Sequence, residues 1–181
     1  MRQVKTNVDM SVKFEQLTLS GDGWNCLVEK PTERGELKIS LLLSIQPQYY
    51  QMIKEGTKKY EYRRKFVTVS TTTFLYVGGA TKAIMGYVEL DKPIIDSVES
   101  ICELAERQKA GSMAGMREYL AGQEKGYAIP ILSLHEIEPV PLSELREKFS
   151  WFTVPQSYIL LDKKSELLSF LQSRSQFISQ R

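Results

Sequence analysis

Lys58, Glu61 and Arg63 fall within the run Gly56-Thr57-Lys58-Lys59-Tyr60-Glu61-Tyr62-Arg63. Two cations and a carboxylate so close together could hold a phosphate, read the edge of a base or move a proton. A lysine just beyond a helix C-terminus is favoured in its charged form by the helix dipole, so Lys58 is first a contact for a phosphate or a carbonyl. Only desolvation would turn it into a base. The planar fork of Arg63 suits a phosphate or a base edge, in either case bidentately. Glu61 has two roles open to it: pairing with both cations, or accepting a hydrogen bond from an exocyclic amine. A structural Lys-Glu-Arg ion network would use the same residue types. Tyr49, Tyr50 and Tyr76 are the aromatic rings that could stack on an unpaired base while the cations hold its phosphate. Core packing is the alternative for each.

The elements around this run follow from local patterning. Leu41 to Ile45 is an apolar run that reads as a buried strand, and Pro47 opens a helical stretch through Tyr49, Tyr50, Ile53 and Glu55. Gly56 stands where a left-handed helix terminus belongs. Beyond it the period changes to two, so Lys59, Glu61 and Arg63 are expected on one face and Tyr60 and Tyr62 on the other. Strands are expected at Thr72 to Tyr76 and Ala83 to Leu90, separated by Gly78-Gly79. A helix over Val98 to Gln108 is capped by Ser97 and stopped near Gly111, and a second runs from Ser112 to Ala121. Tyr127 to Ile137 reads as a long strand whose Pro130 calls for a sheet edge or a bulge. Pro141 to Phe149 is a helical turn, Ser157 to Leu161 a last strand and Ser165 to Phe177 an amphipathic helix. Upstream, Val12 to Leu19 and Trp24 to Val28 flank Ser20-Gly21-Asp22-Gly23, the composition of a hairpin turn.

The chain has 181 residues and 42% hydrophobic content, enough for one core and short for two. A formal net charge of +2 is too mild to demand nucleic acid. Its distribution says more: Lys54, Lys58, Lys59, Arg63, Arg64 and Lys65 cluster, and a local basic patch attracts phosphates even in a weak global field. Lysines guarding a strand edge would look the same. Cys26 and Cys102 are isolated thiols, read as small buried apolar residues. His135 is the one histidine, which argues against zinc. No metal and no cofactor are expected. The absence of a long apolar stretch or a signal-peptide core after Met1-Arg2-Gln3 leads to the expectation of a soluble cytoplasmic protein without membrane contact.

The spacing G-x-K-x-x-E-x-R, after a strand and a short helix, resembles an ASCH domain, a branch of the PUA-like superfamily of RNA-associated β-barrels. Leu43-Ser44-Ile45-Gln46-Pro47 resembles the family's opening strand and first helix, Phe74-Leu75-Tyr76-Val77 and Ile84-Met85-Gly86-Tyr87 its next strands. The segments Tyr119 to Ile129 and Val154-Pro155-Gln156-Ser157-Tyr158 resemble those that return to the sheet. The likeness spans about residues 40–161. It implies an α+β fold, a PUA-like mixed β-barrel with short flanking helices, for a domain at 39–162; the likeness does not cover the N-terminal hairpin (1–38) and the C-terminal amphipathic helix (163–181), which the residue patterns add to it. It also implies recognition of single-stranded RNA or a nucleobase in a cleft lined by Lys58, Glu61, Arg63, Tyr76 and Ser157, with a regulatory role in transcription or translation. Small relatives that hydrolyse the amide of N4-acetylcytidine carry G-x-K-x-x-T-x-R, and here Glu61 stands at the threonine position, which counts against that chemistry. A ribonuclease needs a base, a cation and an acid, and Glu61, Arg63 and Lys58 are the candidate catalytic groups. The competing class is a protein-interaction module, with a homodimer formed through the hairpin or the C-terminal helix.

Overall fold

A computed structural model describes residues 38–176. The expected hairpin, Cys26 and Phe177 lie outside the described residues. In chain order the elements are β1 (Ile39–Ile45), α1 (Pro47–Lys54), β2 (Tyr60–Arg63), β3 (Thr71–Val77), β4 (Ala83–Leu90), β5 (Ile94–Ser97), α2 (Val98–Gln108), α3 (Met113–Tyr119), β6 (Lys125–Pro141), α4 (Leu142–Lys148), β7 (Tyr158–Leu160) and α5 (Ser165–Gln176). A short 3-10 turn, Leu161–Lys163, precedes α5.

The strands form one curled mixed sheet in the order β2-β6-β4-β3-β1-β7. β1 and β3 run parallel in the register Ile39 to Thr71 through Ile45 to Val77, and the other pairings are antiparallel. Leu41, Leu42 and Leu43 are each at most 1% exposed, which is why β1 reads as an unbroken apolar run: it is covered on both faces. One face contributes Leu41, Leu43, Ile45, Leu75, Val77 and Ile129 to a cluster that also takes Tyr50 and Ile53 from α1. The opposite face contributes Leu42, Phe74, Tyr76 and Ile84 to a second cluster, closed by Leu145 of α4 and by Leu167 and Leu171 of α5. Curled in this way with five helices about it, the sheet is an α+β half-barrel, as expected.

β6 holds the sheet together because it changes partners along its length. Its first part pairs with β2 on one side and β5 on the other, and its later part pairs with β4. Pro130 sits at the changeover, opposite Tyr60, where the chain between β4 and β5 leaves the ladder. A proline costs least there, having no N–H to donate. The register then skips: Leu90 faces Ile131 while Glu89 faces Ser133, so Leu132 is bulged out. The proline thus marks an irregularity within the sheet and not its edge. β5 was not anticipated, because its four residues are all exposed and show no alternation.

Gly126 brings α2 and α3 close to the sheet. A Cβ there would lie 2.7 Å from Leu120 Cδ1 and 3.2 Å from Ile101 Cγ1. The small cluster of Ile101, Leu120 and Ala128 packs against Tyr60 and Tyr62, the expected inward face of β2. Ser97 caps α2 by accepting a hydrogen bond from Ser100 N at 3.2 Å, as its position implied.

The apolar face of α5, considered above as a dimer surface, is occupied by the barrel: Leu167 and Leu171 are fully buried. Arg174 is ion-paired with Glu138 at 3.3 Å and with Glu144. Leu171→Ala is expected to lower stability to urea by about 2–5 kcal/mol, the cost of a cavity in a packed core; a value under about 1 kcal/mol would mean that α5 does not belong to the cooperative unit.

Candidate functional site

The turn between α1 and β2 fixes the position of the first cation. Pro47 begins α1, where a missing N–H removes nothing the helix would use. At the other end the amides of Thr57 and Lys58 both donate to Met52 O, at 2.9 and 3.0 Å. Gly56 takes a φ of 69°, the left-handed conformation that reverses the chain. Thr57 Oγ1 also donates to Met52 O, at 3.1 Å, so this hydroxyl closes the helix.

Lys58 then folds back along β2. Its ammonium donates to Tyr60 O at 2.8 Å and lies 3.2 Å from Glu61 Oε2. Arg63 approaches the other carboxylate oxygen: Nε donates to Glu61 Oε1 at 2.9 Å and Nη2 lies 2.8 Å from the same atom. Nη2 also reaches Ser44 O at 3.5 Å, tying the group to the end of β1. The side chains of Lys58, Glu61 and Arg63 are only 12%, 11% and 17% exposed. A carboxylate so buried requires charge partners, and here it has two. Lys58, from the turn, supplies the second cation to Glu61, while Lys59 is exposed.

The three charged groups line a cleft of ≈ 580 Å³ between the α1–β2 turn and the α2–α3 hairpin. Its wall from α2 and α3 includes Gln108, Lys109, Ser112, Gly115 and Tyr119. Sequence reasoning did not reach these residues, since nothing local joins them to β2. Tyr49 and Tyr119 are 45% and 38% exposed and stand on opposite walls. Each has a cation beside its ring: Lys58 Nζ is 5.4 Å from the Tyr49 centroid, and Arg64 Cζ is 5.2 Å from that of Tyr119. Arg64 Nε donates to Tyr119 O at 2.6 Å, which joins the end of β2 to α3.

Not all of the expected site residues meet here. Tyr76 is 3% exposed and lies with Phe74 on the opposite face of the sheet, against α4 and α5, away from the cleft. The pleat is responsible, since alternate residues of β3 face opposite clusters. Tyr50 is also core: its hydroxyl donates to Met85 O at 3.3 Å, and burial, with Glu136 nearby, pushes its pKa up to about 12. Of the three rings considered for stacking, Tyr49 alone lines the cleft. Ser157 is exposed in the bend before β7 and does not line the cleft, although its neighbour Pro155 accepts a hydrogen bond from Ser44 Oγ at 2.9 Å. The basic cluster is likewise divided, for Lys54 is paired with Glu136 at 2.8 Å.

Two cleft hydroxyls, on Tyr62 and Ser112, are buried and have no hydrogen-bond partner among the described residues. Burial above all pushes the Tyr62 phenol up to about 12, so it stays protonated and can donate. Cys102 is fully buried with its pKa raised by burial, as expected of a small core residue. His135 stacks on Tyr87 at 4.7 Å. Among the described residues no cluster of metal-ligating side chains occurs, and no helix is long and apolar enough to cross a membrane.

With this geometry in view, known proteins add a context. No protein-family profile matches the chain. It is similar to a protein of Zymomonas mobilis named ASCH domain-containing ribonuclease, at 26% identity over 125 residues, spanning 68% of this chain and 84% of that one. The crystal structure of ASCH from Zymomonas mobilis aligns with a TM-score of 0.62 at 25% identity, covering 72% of this chain and 94% of that chain. A mutant form of it gives the same TM-score at 24% identity. The fold is that of the PUA-like half-barrels. Within that class, the chain resembles the ASCH protein of Zymomonas mobilis in sequence and in fold.

Glu106 governs the cleft wall. Its carboxylate accepts from the amides of Gly111 at 2.7 Å and Met113 at 2.9 Å, and these bonds hold its pKa below the ordinary 4.5. A depressed folded-state pKa gives stabilisation that is present above the ordinary value and lost as pH falls through the lowered one. The Gly111 and Met113 amides are therefore expected to keep their hydrogen-exchange protection down to pH 4.5 and to lose it only below. In Glu106→Gln they are expected to exchange faster at pH 4.5 and above, where the wild-type carboxylate is charged; unchanged protection in that variant would show that the carboxylate does not hold the wall.

Proposed function

We propose that this protein recognises RNA, holding an unpaired base in the cleft and an adjacent phosphate on Lys58 and Arg63. The observation that carries this reading is the donors left over around Glu61. The Lys58 ammonium has three N–H groups and spends two, on Tyr60 O and Glu61. The Nη1 of Arg63 makes no hydrogen bond to a described residue, although Arg63 lines the cleft. An ion network serving structure alone would have no use for unspent donors beside an open cavity. Tyr49 offers the half-exposed ring on which a base can stack. Glu61 keeps both cations in place without neutralising them fully, since two positive charges meet one negative.

A ribonuclease is the second reading, favoured by the relative of that name. The strand's own 2′-hydroxyl would serve as nucleophile. Its oxygen bonds to phosphorus as the proton passes to Glu61, the bond from phosphorus to the 5′-oxygen breaks, and Lys58 gives its proton to that oxygen. Arg63 faces the charge that develops on the phosphorane. The 3.2 Å contact between Glu61 and Lys58 lets the proton return from one to the other. An amidohydrolase is disfavoured: Glu61 replaces the hydroxyl, and Thr57 Oγ1 is bonded to Met52 O.

Anisotropy of labelled single-stranded RNA, followed over an hour, tests both readings. Lys58→Ala and Arg63→Ala are each expected to weaken binding about 10- to 100-fold, the worth of one charge-assisted hydrogen bond. Gly115→Leu serves as a steric test, because a Cβ at Gly115 meets nothing within 4 Å and the residue lines the cleft. It is expected to keep or raise the melting temperature, as helical glycine is replaced by a better helix former, and to lose RNA. A signal that decays with wild type but not with 2′-deoxy-substituted strands would identify cleavage. Full binding by all three variants would refute the cleft as the site.

A further inference from the structure

A second groove, of ≈ 460 Å³, lies on the other side of the Gly56 to Lys59 turn and shares Lys58 and Lys59 with the cleft. We propose that it is the subsite for a neighbouring nucleotide, so that the ligand is an RNA strand crossing the turn and not a free nucleoside. The proposal rests on the RNA reading of the cleft and adds to it the class of ligand.

Three features support this assignment. The first is continuity: the two cavities meet at the same two lysines, and a chain leaving the cleft over Lys58 must pass Lys59. The second is charge. Lys54 is held by Glu136, the acidic residue of this groove, whereas the Lys59 side chain is exposed and its ammonium makes no ion pair or hydrogen bond with a described residue. It is the cation free to take a phosphate at the crossing.

The third feature is Leu132, which is 63% exposed, the most of any large apolar side chain among the described residues. Single exposed leucines are common, but here the position is imposed by the backbone. The register skip between Glu89 opposite Ser133 and Leu90 opposite Ile131 leaves Leu132 unpaired with its side chain bordering the groove, beside Ile131 and Ile53. It gives a base or ribose an apolar surface next to a cation. That pairing is the working combination of strand-binding sites, which track the backbone with positive charge and hold the bases on apolar faces. A free nucleoside would occupy the cleft and leave the second groove unused.

The test is length dependence. Each of the four homopolymeric RNA tetranucleotides and its 5′-monophosphate competes against a labelled single strand, with wild type, Leu132→Ser, Lys59→Gln and Lys58→Ala. Because Leu132 and Lys59 are exposed, both substitutions should leave the melting temperature unchanged. The tetranucleotide is expected to bind wild type at least tenfold more tightly than the monophosphate. Leu132→Ser and Lys59→Gln are each expected to weaken the tetranucleotide about three- to tenfold, for loss of an apolar contact and of a phosphate contact, and Leu132→Ser, which lies outside the cleft, to leave the monophosphate within twofold. Lys58→Ala should weaken both ligands. Equal affinity for the two ligands in wild type, or unchanged tetranucleotide binding by both groove variants, would overturn the second subsite while leaving the cleft reading intact. Failure of both ligands to bind wild type would overturn the two together.

Discussion

A carboxylate that is nine-tenths buried can stay in place only with cations against it, and in this protein Glu61 has Lys58 on one oxygen and Arg63 on the other. Much of the local architecture serves that arrangement. Lys58 reaches Glu61 because Gly56 turns the chain back on itself at the end of α1. Arg63 reaches it because two residues along a strand return to the same face. The backbone carbonyls of Tyr60 and Ser44 take further donors from the same cations, so the position of the charges is set by β1, α1 and β2 together. Removing the carboxylate would leave two buried positive charges facing each other, a far worse outcome than removing either cation.

The opposite wall depends on a different kind of constraint. α2 and α3 are held to the sheet by apolar contacts over Gly126 and by the carboxylate of Glu106 on the turn between them. The cleft is therefore the space between an ionic floor on β2 and the α2–α3 hairpin. Arg64 joins the two by its bond to Tyr119 O. Such a construction sets the cations on one side of the cleft and a helical wall on the other, the arrangement on which the proposed recognition of a base and its phosphate relies.

How much of this was legible in the sequence follows from the range of the interactions. The helix stop at Gly56, the inward face of Tyr60 and Tyr62 and the cap at Ser97 are settled by neighbours a few residues away, and they were readable. The convergence of Lys58, Glu61 and Arg63 was visible as spacing, though not which lysine would turn inward. Tyr76 could not be placed, because its face depends on which side of the curled sheet the helices cover. The wall formed by Ser112, Gly115 and Tyr119 was invisible for the same reason: its link to β2 runs through the packing of α2 and α3. β5, short and exposed, had no pattern to read. The C-terminal helix was evident from its apolar spacing, while its partner, the face of the sheet bearing Leu42 and Phe74, emerged only in three dimensions.

The central claim is that Lys58 and Arg63 hold a phosphate and do not merely neutralise Glu61. The salt dependence of RNA affinity measures this directly, because each cation that contacts a phosphate releases bound counterions. For wild type, log K is predicted to fall linearly with log salt, and the slope is predicted to become shallower by about 0.7 in Lys58→Ala and again in Arg63→Ala, the contribution of one phosphate contact on a single strand. Slopes that stay the same in both variants, with affinity lost only in step with a falling melting temperature, would contradict the account and leave the three residues as a structural ion network.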